Sequence, residues 1–346
     1  MSDDASIPAR PQRRPRYRGK NPRRFEEKYK EHDPQRYSET IAKVLASGKT
    51  PAGSHRPIMV AEVLEVLAPQ PGQIAVDGTL GYGGHAQEIL ARLQPGGRLL
   101  GLDADPIELP KTEERLRSLG FGPEQFTAHR SNFAGLPQVL MKAGLAGADL
   151  ILADLGVSSM QLDDPTRGFS MKHAGPLDMR MNPARGQSAA AFLRKIDAAK
   201  LARVLDENAD EPQAELLATA LSGKVFETTL SLASAIRAAL ARSSSEAVEL
   251  SVRRVFQALR IAVNDEFSSL DAFLRHLPLC LKSGGRVAII TFHSGEDRRV
   301  KKSFAAGARE NIYSEIADEV IRPSVAERNA NPRSASAKLR WTRKAS

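Results

Sequence analysis

The stretch from Ile74 to His85, IAVDGTLGYGGH, constrains the fold more than any other part of the chain. A short apolar run ends on Asp77 and passes directly into a turn rich in glycine, with Gly81, Gly83 and Gly84. This order is typical of a first β-strand that leads through a glycine loop into a helix. The chain is therefore expected to contain an α/β fold with a ligand site at that loop.

The acid before this loop indicates which ligand the loop takes. A glycine loop at a helix N-terminus normally attracts anions such as pyrophosphate, which Asp77 would repel. A carboxylate favours a cation instead, and S-adenosylmethionine offers a sulfonium and an amino group. This predicts a methyltransferase. Because Gly81, Gly83 and Ala86 also fit a G-x-G-x-x-A dinucleotide fingerprint, a nicotinamide-dependent oxidoreductase is the competing interpretation.

Strand and helix patterns alternate along the next eighty residues. Strands are predicted at 74–76, 98–102, 125–129 and 149–153, with helices between them. This βαβαβαβ order predicts a mostly parallel, Rossmann-like sheet that is covered by helices on both faces. The fold class is thus α/β.

A long helical segment interrupts this alternation. The next strong strand, Arg286 to Thr291, follows Asp154 only after 131 residues rich in Ala and Leu, whereas a βαβ unit needs about thirty. We therefore expect an inserted helical domain for substrate recognition at 166–251, within a methyltransferase domain formed by 55–165 and 252–346. An apolar stripe from Val252 to Leu277 predicts one long helix that returns to the sheet.

Polar residues that end the predicted strands are candidates for the site, because ligands bind at the carboxyl ends of parallel strands. Asp103 ends the second strand and could accept both ribose hydroxyls of an adenosine. Phe133 follows the third strand and is either an adenine contact or a core residue. Asp154 ends the fourth strand, where it could accept an N–H of an exocyclic amine and so favour attack on a methyl group. The alternative role of Asp154 is a helix N-cap.

Composition limits the kinds of site and the locations that are expected for the chain. Cys280 is the one cysteine, so neither an intrachain disulfide nor a zinc cluster is expected, and no metal site is indicated. No apolar run is long enough for a membrane span or a secretory leader, and a cytoplasmic location is the default expectation.

The net charge of +9 is concentrated at the ends of the chain. Residues 1–54 hold thirteen Lys or Arg against seven acids, and 322–346 hold seven against one. We interpret 1–54 as a largely disordered basic arm that binds nucleic acid; the alternative is a tail that only keeps the protein in solution.

The chain contains eight sequence motifs, in this order: HRP at 55–57, DGTLGYGGH at 77–85, DLGVSSMQLDD at 154–164, RGFSM at 167–171, GPLDMRMNP at 175–183, FQALRIAVNDE at 256–266, FHSGEDR at 292–298 and NPRSASAKLR at 331–340. Together they resemble those of the bacterial ribosomal small-subunit methyltransferase H family. The resemblance implies a class I S-adenosylmethionine-dependent methyltransferase fold with an inserted helical domain. It also implies transfer of a methyl group from S-adenosylmethionine to N4 of a cytosine in the decoding region of 16S rRNA, with the small ribosomal subunit as partner.

The resemblance also implies roles for individual residues. Asp154 is the catalytic candidate. Substrate contacts are implied for Arg167, Phe169, Asp178, Arg180 and His293. The implied cofactor residues are Gly83, Gly84, His85, Asp103, Phe133, Asp154 and Gln161.

Four departures from the family pattern are visible in the sequence. Gly295 stands where the family usually has Leu, and ENADEP at 207–212 replaces a Tyr-Gly-Glu-Glu motif. The segment after Arg298 is shorter than usual, and the basic arm lies outside the pattern. They leave open another rRNA cytosine as the target, or a non-catalytic ribosome-assembly factor. A DNA amino-methyltransferase shares the chemistry, but such enzymes typically carry a Pro-Pro-aromatic motif that is absent here.

Overall fold

The computed structural model describes residues 57–346, so the predicted basic arm at 1–54 lies outside the described residues. A seven-stranded sheet is the centre of the described part, in the order β3-β2-β1-β4-β5-β7-β6. The first five strands are parallel, as predicted. They are β1 (Ile74–Asp77), β2 (Arg98–Asp103), β3 (Phe126–Arg130), β4 (Ala148–Asp154) and β5 (Leu281–Thr291).

Helices on both faces bury this sheet. The central strands β1, β2 and β4 are almost wholly buried, which agrees with their nearly continuous apolar sequences. The first four helices are α1 (Val60–Leu67), α2 (Gly84–Leu93), α3 (Glu108–Ser118) and α4 (Leu136–Lys142). The predicted alternation of strands and helices and the α/β fold class are therefore confirmed, with bounds that differ by a few residues.

The segment between β4 and β5 is helical, as expected, and has its own apolar cluster. Most of its helices contribute buried side chains to that cluster, and Phe169, Leu177 and Met179 join it from loops. The segment consists of α5 (Ser159–Asp163), α6 (Ala189–Lys195), α7 (Ala198–Ala209), α8 (Ala214–Leu221), α9 (Thr229–Ala239), α10 (Ser245–Asn264) and α11 (Glu266–Cys280). The domain boundaries given above stay a prediction.

The apolar stripe from Val252 to Leu277 forms two helices instead of the one that its spacing suggests. Asp265 takes a left-handed conformation, with φ 50° and ψ 43°, and separates α10 from α11. Val252 and Leu259 pack in the helical cluster, whereas Leu270 and Leu277 pack under the sheet. Apolar periodicity continues through the break, because both helices bury one face.

The C-terminal segment completes the sheet. After α12 (Ser294–Arg309), strands β6 (Tyr313–Ile316) and β7 (Lys338–Lys344) add antiparallel pairs, with α13 (Val325–Ala330) between them. The basic residues Lys338 and Arg340 therefore lie on a strand, where both form ion pairs with Asp297. This part of the basic 322–346 segment is therefore a strand of the sheet. No helix in the described range has the length and apolarity that crossing a bilayer requires.

Candidate active site

Three carboxylates meet at the carboxyl ends of neighbouring strands. Asp77, Asp103 and Asp154 end β1, β2 and β4, and β1 lies between the other two strands. Thr79 links two of them: its backbone N–H donates to Asp77 Oδ1 at 3.1 Å, and its hydroxyl oxygen accepts from the backbone N–H of Asp154 at 2.6 Å. The sheet thus brings together the acids that the sequence pattern singled out.

Desolvation raises the pKa of all three carboxyl groups, and most of all those of Asp77 and Asp154. Asp77 is 1% exposed, and desolvation raises its pKa from 3.8 to about 7, with a further contribution from Asp103. Desolvation, Asp77 and Glu296 together raise the pKa of Asp154 from 3.8 to about 8. Because a nearby cation favours the charged form of an acid, a sulfonium at this place would lower both values. The site is therefore built to gain stability when it receives a positive charge.

Tight packing explains the glycines of the loop. Gly83 has φ +74°, and a Cβ there would lie 2.9 Å from Thr112 Cγ2. A Cβ at Gly84 would lie 2.6 Å from Pro57 Cγ. The hydroxyl of Thr112 donates to the carbonyl of Gly81 at 2.6 Å, which fixes the loop against α3. Substitution at either glycine would displace the loop from the strand ends.

His85 faces Asp154 as a neutral ring. It is 6% exposed, and desolvation lowers its pKa to about 4, opposed by a hydrogen bond to the backbone of Ile58. His85 Nε2 lies 3.7 Å from Asp154 Oδ2. Within the described residues, His85 Nε2 and Asp154 Oδ1 are buried without a hydrogen-bond partner. Two buried acceptors of this kind fit a ligand that carries N–H groups and positive charge.

The remaining cofactor candidates surround the ends of β2 and β3. Asp103 accepts backbone N–H groups from Gly81 and Asp105, each at 2.8 Å, and burial raises its pKa to about 6. Phe133 packs edge-on against Phe273, and its Cβ lies 3.3 Å from the position of a Cβ at Gly78, immediately after Asp77. Phe133 thus contacts both the core and the loop, so neither of its two interpretations is eliminated.

Gln161 and Arg167 make protein contacts rather than lining an open cleft. Gln161 completes a capping box with Ser158 and donates to Asp105 Oδ2 at 2.8 Å. Arg167 is 8% exposed and donates to the same oxygen at 2.8 Å. Whether either residue also contacts a ligand stays a prediction.

The other substrate candidates fall into two groups. Asp178 and Arg180 form a two-bond ion pair at 2.8 and 2.7 Å, which holds the pKa of Asp178 below its ordinary value, and Phe169 is buried in the helical cluster. His293 caps α12, with Nε2 3.2 Å from Glu296 Oε1. Glu296 also contributes to the raised pKa of Asp154, so the pair of His293 and Glu296 lies close to Asp154.

Sequence reasoning missed three residues that organise the site. Asp105 joins the end of β2 to Gln161 and Arg167. Asn264 binds the loop after Asp178 through backbone contacts at Met179 and Met181. Glu296 accepts from the backbone N–H of Phe292 at 2.8 Å. The only sequence signals were the positions of Asn264 and Glu296 inside motifs and of Asp105 two residues after Asp103.

Comparisons with known proteins find relatives over most of the chain. A protein called ribosomal RNA small subunit methyltransferase H 1 from Lachnoclostridium phytofermentans is 52% identical over 342 residues, which cover 96% of this chain and 93% of that protein. A methyltransferase H 2 from Alkaliphilus metalliredigens is 50% identical and covers 96% of this chain and 98% of its own. A methyltransferase H from an Anaeromyxobacter strain is 43% identical, over 84% and 97%.

These coverages bear on the basic arm. The Lachnoclostridium match leaves only about 14 residues of this chain uncovered, so it includes most of residues 1–54. Some relatives therefore align with most of the arm, although the family model begins only at residue 52, which agrees with the expectation that the arm lies outside the family pattern.

One family description spans nearly the whole described structure. The model of the MraW methylase family matches residues 52–345, which include all of the strands and the helical segment. A methylase needs a methyl donor, and the acids around the glycine loop fit S-adenosylmethionine, as the sequence predicted. On this match, and on relatives that are up to 52% identical over almost their full length, the chain belongs to the MraW methylase family.

Proposed function

We propose that this protein transfers a methyl group from S-adenosylmethionine to the exocyclic N4 of a cytosine in the decoding region of 16S rRNA. The names of the relatives support rRNA of the small subunit as the substrate. The observation that carries the chemistry is Asp154, a partly exposed acid at the strand ends whose buried Oδ1 has no hydrogen-bond partner within the described residues.

S-adenosylmethionine supplies the methyl group as a cationic sulfonium and leaves as neutral S-adenosylhomocysteine. Asp77 and Asp154 would hold the cationic part, and Asp103 would hold the ribose. Gly83 and Gly84 would let the backbone approach closely, and Phe133 would lie beside the adenine.

Asp154 would act on the acceptor nitrogen. The lone pair of a cytosine amino group is delocalised into the ring, so the nitrogen is a weak nucleophile. An oxygen that accepts one of its N–H bonds lets the nitrogen become more tetrahedral as its bond to the methyl carbon forms. The proton released from nitrogen passes to the Asp154 carboxylate, and the electron pair of the broken bond stays on sulfur. Alignment provides most of the acceleration and the base adds about 10²–10⁴-fold.

Asp154→Asn tests this role. Asn keeps the size of the side chain but cannot take up the proton, so single-turnover methylation of small subunits from a methylation-deficient strain should fall by about 10²–10⁴-fold. Calorimetry should show that the variant still binds S-adenosylhomocysteine. A variant that methylates at the wild-type rate would reduce Asp154 to a structural residue.

The target nucleotide is tested separately. Mass spectrometry of rRNA nucleosides from a strain without this gene should show loss of N4-methylcytidine from the decoding region. Loss of the same nucleoside from another region would support the alternative that the departures at Gly295 and 207–212 changed the target. An unchanged nucleoside profile would favour a non-catalytic assembly factor.

The choice of cofactor has its own control. Parallel titrations with S-adenosylmethionine and NADH should give binding only for the former, because a dinucleotide would place its pyrophosphate against Asp77. NADH binding without S-adenosylmethionine binding would restore the oxidoreductase interpretation.

A further inference from the structure

Asp105 lies between the glycine loop after β1 and the loop at residues 178–181. Hydrogen bonds connect it to the first through Asp103 and to the second through Arg167. It is 1% exposed, two residues beyond Asp103. Its Oδ1 accepts the backbone N–H of Ile107 at 2.9 Å at the start of α3. Its Oδ2 accepts from Gln161 Nε2 and from Arg167 Nη1, each at 2.8 Å. The bonds of this carboxylate therefore reach three parts of the site: the start of α3, where the backbone N–H of Glu108 also donates to Oδ1 at 3.4 Å, Gln161 and Arg167.

Arg167 carries the connection onward. Its Nη2 donates to the carbonyl of Met181 at 2.8 Å and to that of Arg180 at 3.2 Å, while its own carbonyl accepts the backbone N–H of Met179 at 3.0 Å. A guanidinium has several donors in a fixed plane, so one side chain can hold a carboxylate and two carbonyls at once. A lysine could not reproduce this arrangement.

The segment that Arg167 grips is held in an uncommon conformation. Met179 has φ +64° and is 1% exposed. Asn264 secures it from the other side, donating to the carbonyl of Met179 and accepting the backbone N–H of Met181, both at 2.7 Å. A left-handed non-glycine residue persists only where its surroundings hold it. Loss of the Arg167 contacts would therefore alter residues 178–181, including the Asp178–Arg180 pair.

The cofactor end of the chain of contacts is Asp103. The backbone N–H of Asp105 donates to Asp103 Oδ1 at 2.8 Å, and the N–H of Gly81 donates to Oδ2. A ribose bound to Asp103 would share these oxygens with the two N–H groups, which would adjust the backbone at Asp105. Continuous hydrogen bonds then lead from the ribose site to residues 178–181.

We infer that Asp105 is a positioning residue that couples occupation of the cofactor site to the order of the segment 178–181. The inference deepens the proposed function. It rests on that function only where it assigns residues 178–181 to the part of the site that binds the substrate. The buried ion pair of Asp105 and Arg167 is fully hydrogen-bonded, so its geometry is tightly defined. A change at one end of such a pair is therefore transmitted to the other. The competing explanation is a pair that only supports the fold.

Hydrogen exchange separates these explanations without any RNA. Exchange is measured on a peptide covering 177–182 in the full-length protein, with and without saturating S-adenosylhomocysteine. In the wild type the ligand should slow exchange by about fivefold or more, the lower end of typical coupling between sites. In Asp105→Asn and Arg167→Lys the ligand should still bind, as calorimetry shows, but should change exchange by less than about twofold.

Glu113→Gln is the matched control, because it neutralises an acid on α3 whose partner is the half-buried Arg117, outside the Asp105 contacts. It should respond to the ligand like the wild type. Slowing of the same size in wild type, Asp105→Asn and Arg167→Lys would overturn the inference, and so would a wild type that does not respond. If Asp105→Asn fails to fold, Arg167→Lys alone decides. Failure of the cytosine assignment would leave these results unchanged.

Discussion

At the scale of single residues, the site is defined by acids that are costly to ionise until a cation arrives. Asp77 and Asp154 have pKa values of about 7 and about 8, chiefly because burial removes water from their charged forms. A bound sulfonium provides the compensating charge, and its neutral product does not. The same two groups therefore favour binding of the methyl donor and release of the spent cofactor.

This asymmetry predicts a pH-dependent preference between two nearly identical ligands. Between pH 6 and 9 the affinity for S-adenosylmethionine should rise relative to that for S-adenosylhomocysteine, by about tenfold, as Asp77 and Asp154 become ionised. Competition calorimetry across this range measures the ratio. In Asp77→Asn the ratio should change much less with pH. A wild-type ratio that stays constant would show that the acids do not face the sulfonium.

The raised pKa of Asp77 also predicts that the ligand-free protein loses stability as the pH rises. An acid whose pKa is raised by folding binds its proton more tightly in the folded state, so stability is lost as pH rises from the ordinary value of 3.8 through about 7. Asp77→Asn removes this loss and should stabilise the ligand-free protein at pH 8 by about 1–3 kcal/mol. Urea denaturation at pH 5 and pH 8 checks it; the variant should gain less than half as much at pH 5, because the interval from 3.8 to about 7 is then only partly crossed.

At the scale of elements, α11 and α12 show how a departure from the family pattern is accommodated. A Cβ at Gly295 would lie 2.6 Å from Phe267 Cζ, so the ring occupies the space that a side chain at 295 would need. Arg299 stacks on the other side of that ring, with its guanidinium carbon 3.6 Å from the centroid. Gly295 is thus matched to Phe267, next to His293.

A double-mutant cycle tests this match. Gly295→Leu should destabilise the protein by about 1–3 kcal/mol through overpacking, and Phe267→Leu by about 1 kcal/mol or more through the space it leaves. The double variant should lose clearly less than the sum of the two, because the new leucine fills the space. Chemical denaturation measures all three. Additive losses would mean that the two positions do not share a cavity.

The local sequence pattern predicted most helices and strands. It predicted neither the breaks between helices nor the partners of the polar side chains. The strand ends at Asp77, Asp103 and Asp154 were predictable, because buried parallel strands are apolar runs with polar ends. The break at Asp265 was not, since apolar periodicity continues across it. The side-chain partners of Asp105, Gln161 and Arg167, lie more than fifty positions away in the sequence, so no local pattern indicates them. Strand β7 was not predicted because its basic side chains hid the alternation of residues that is typical of a strand.

At the scale of the whole molecule, two parts of the chain differ in what they share with relatives. The match to the Anaeromyxobacter protein leaves about 55 residues of this chain uncovered, roughly the length of the basic arm, whereas the Lachnoclostridium match includes most of the arm. Catalysis is therefore assigned to the part common to all of them. The arm is a separate contribution, and its thirteen basic residues indicate contacts with phosphates.

Deleting residues 1–50 tests this division. Binding to 16S rRNA should weaken, and the slope of log affinity against log salt should become shallower by about 2–5, because each lost phosphate contact removes close to one released counterion. Affinity for S-adenosylhomocysteine should not change, since the acids and the glycine loop remain.

A second variant separates charge from length in the arm. Replacing the eight basic residues between Arg10 and Arg24 with glutamine should reproduce most of the change in slope, whereas a scrambled arm of the same composition should keep the wild-type slope. These outcomes would follow because counterion release depends on the number of cations near the backbone and not on their order. A slope that is the same in all four proteins would leave the arm without a role in RNA binding.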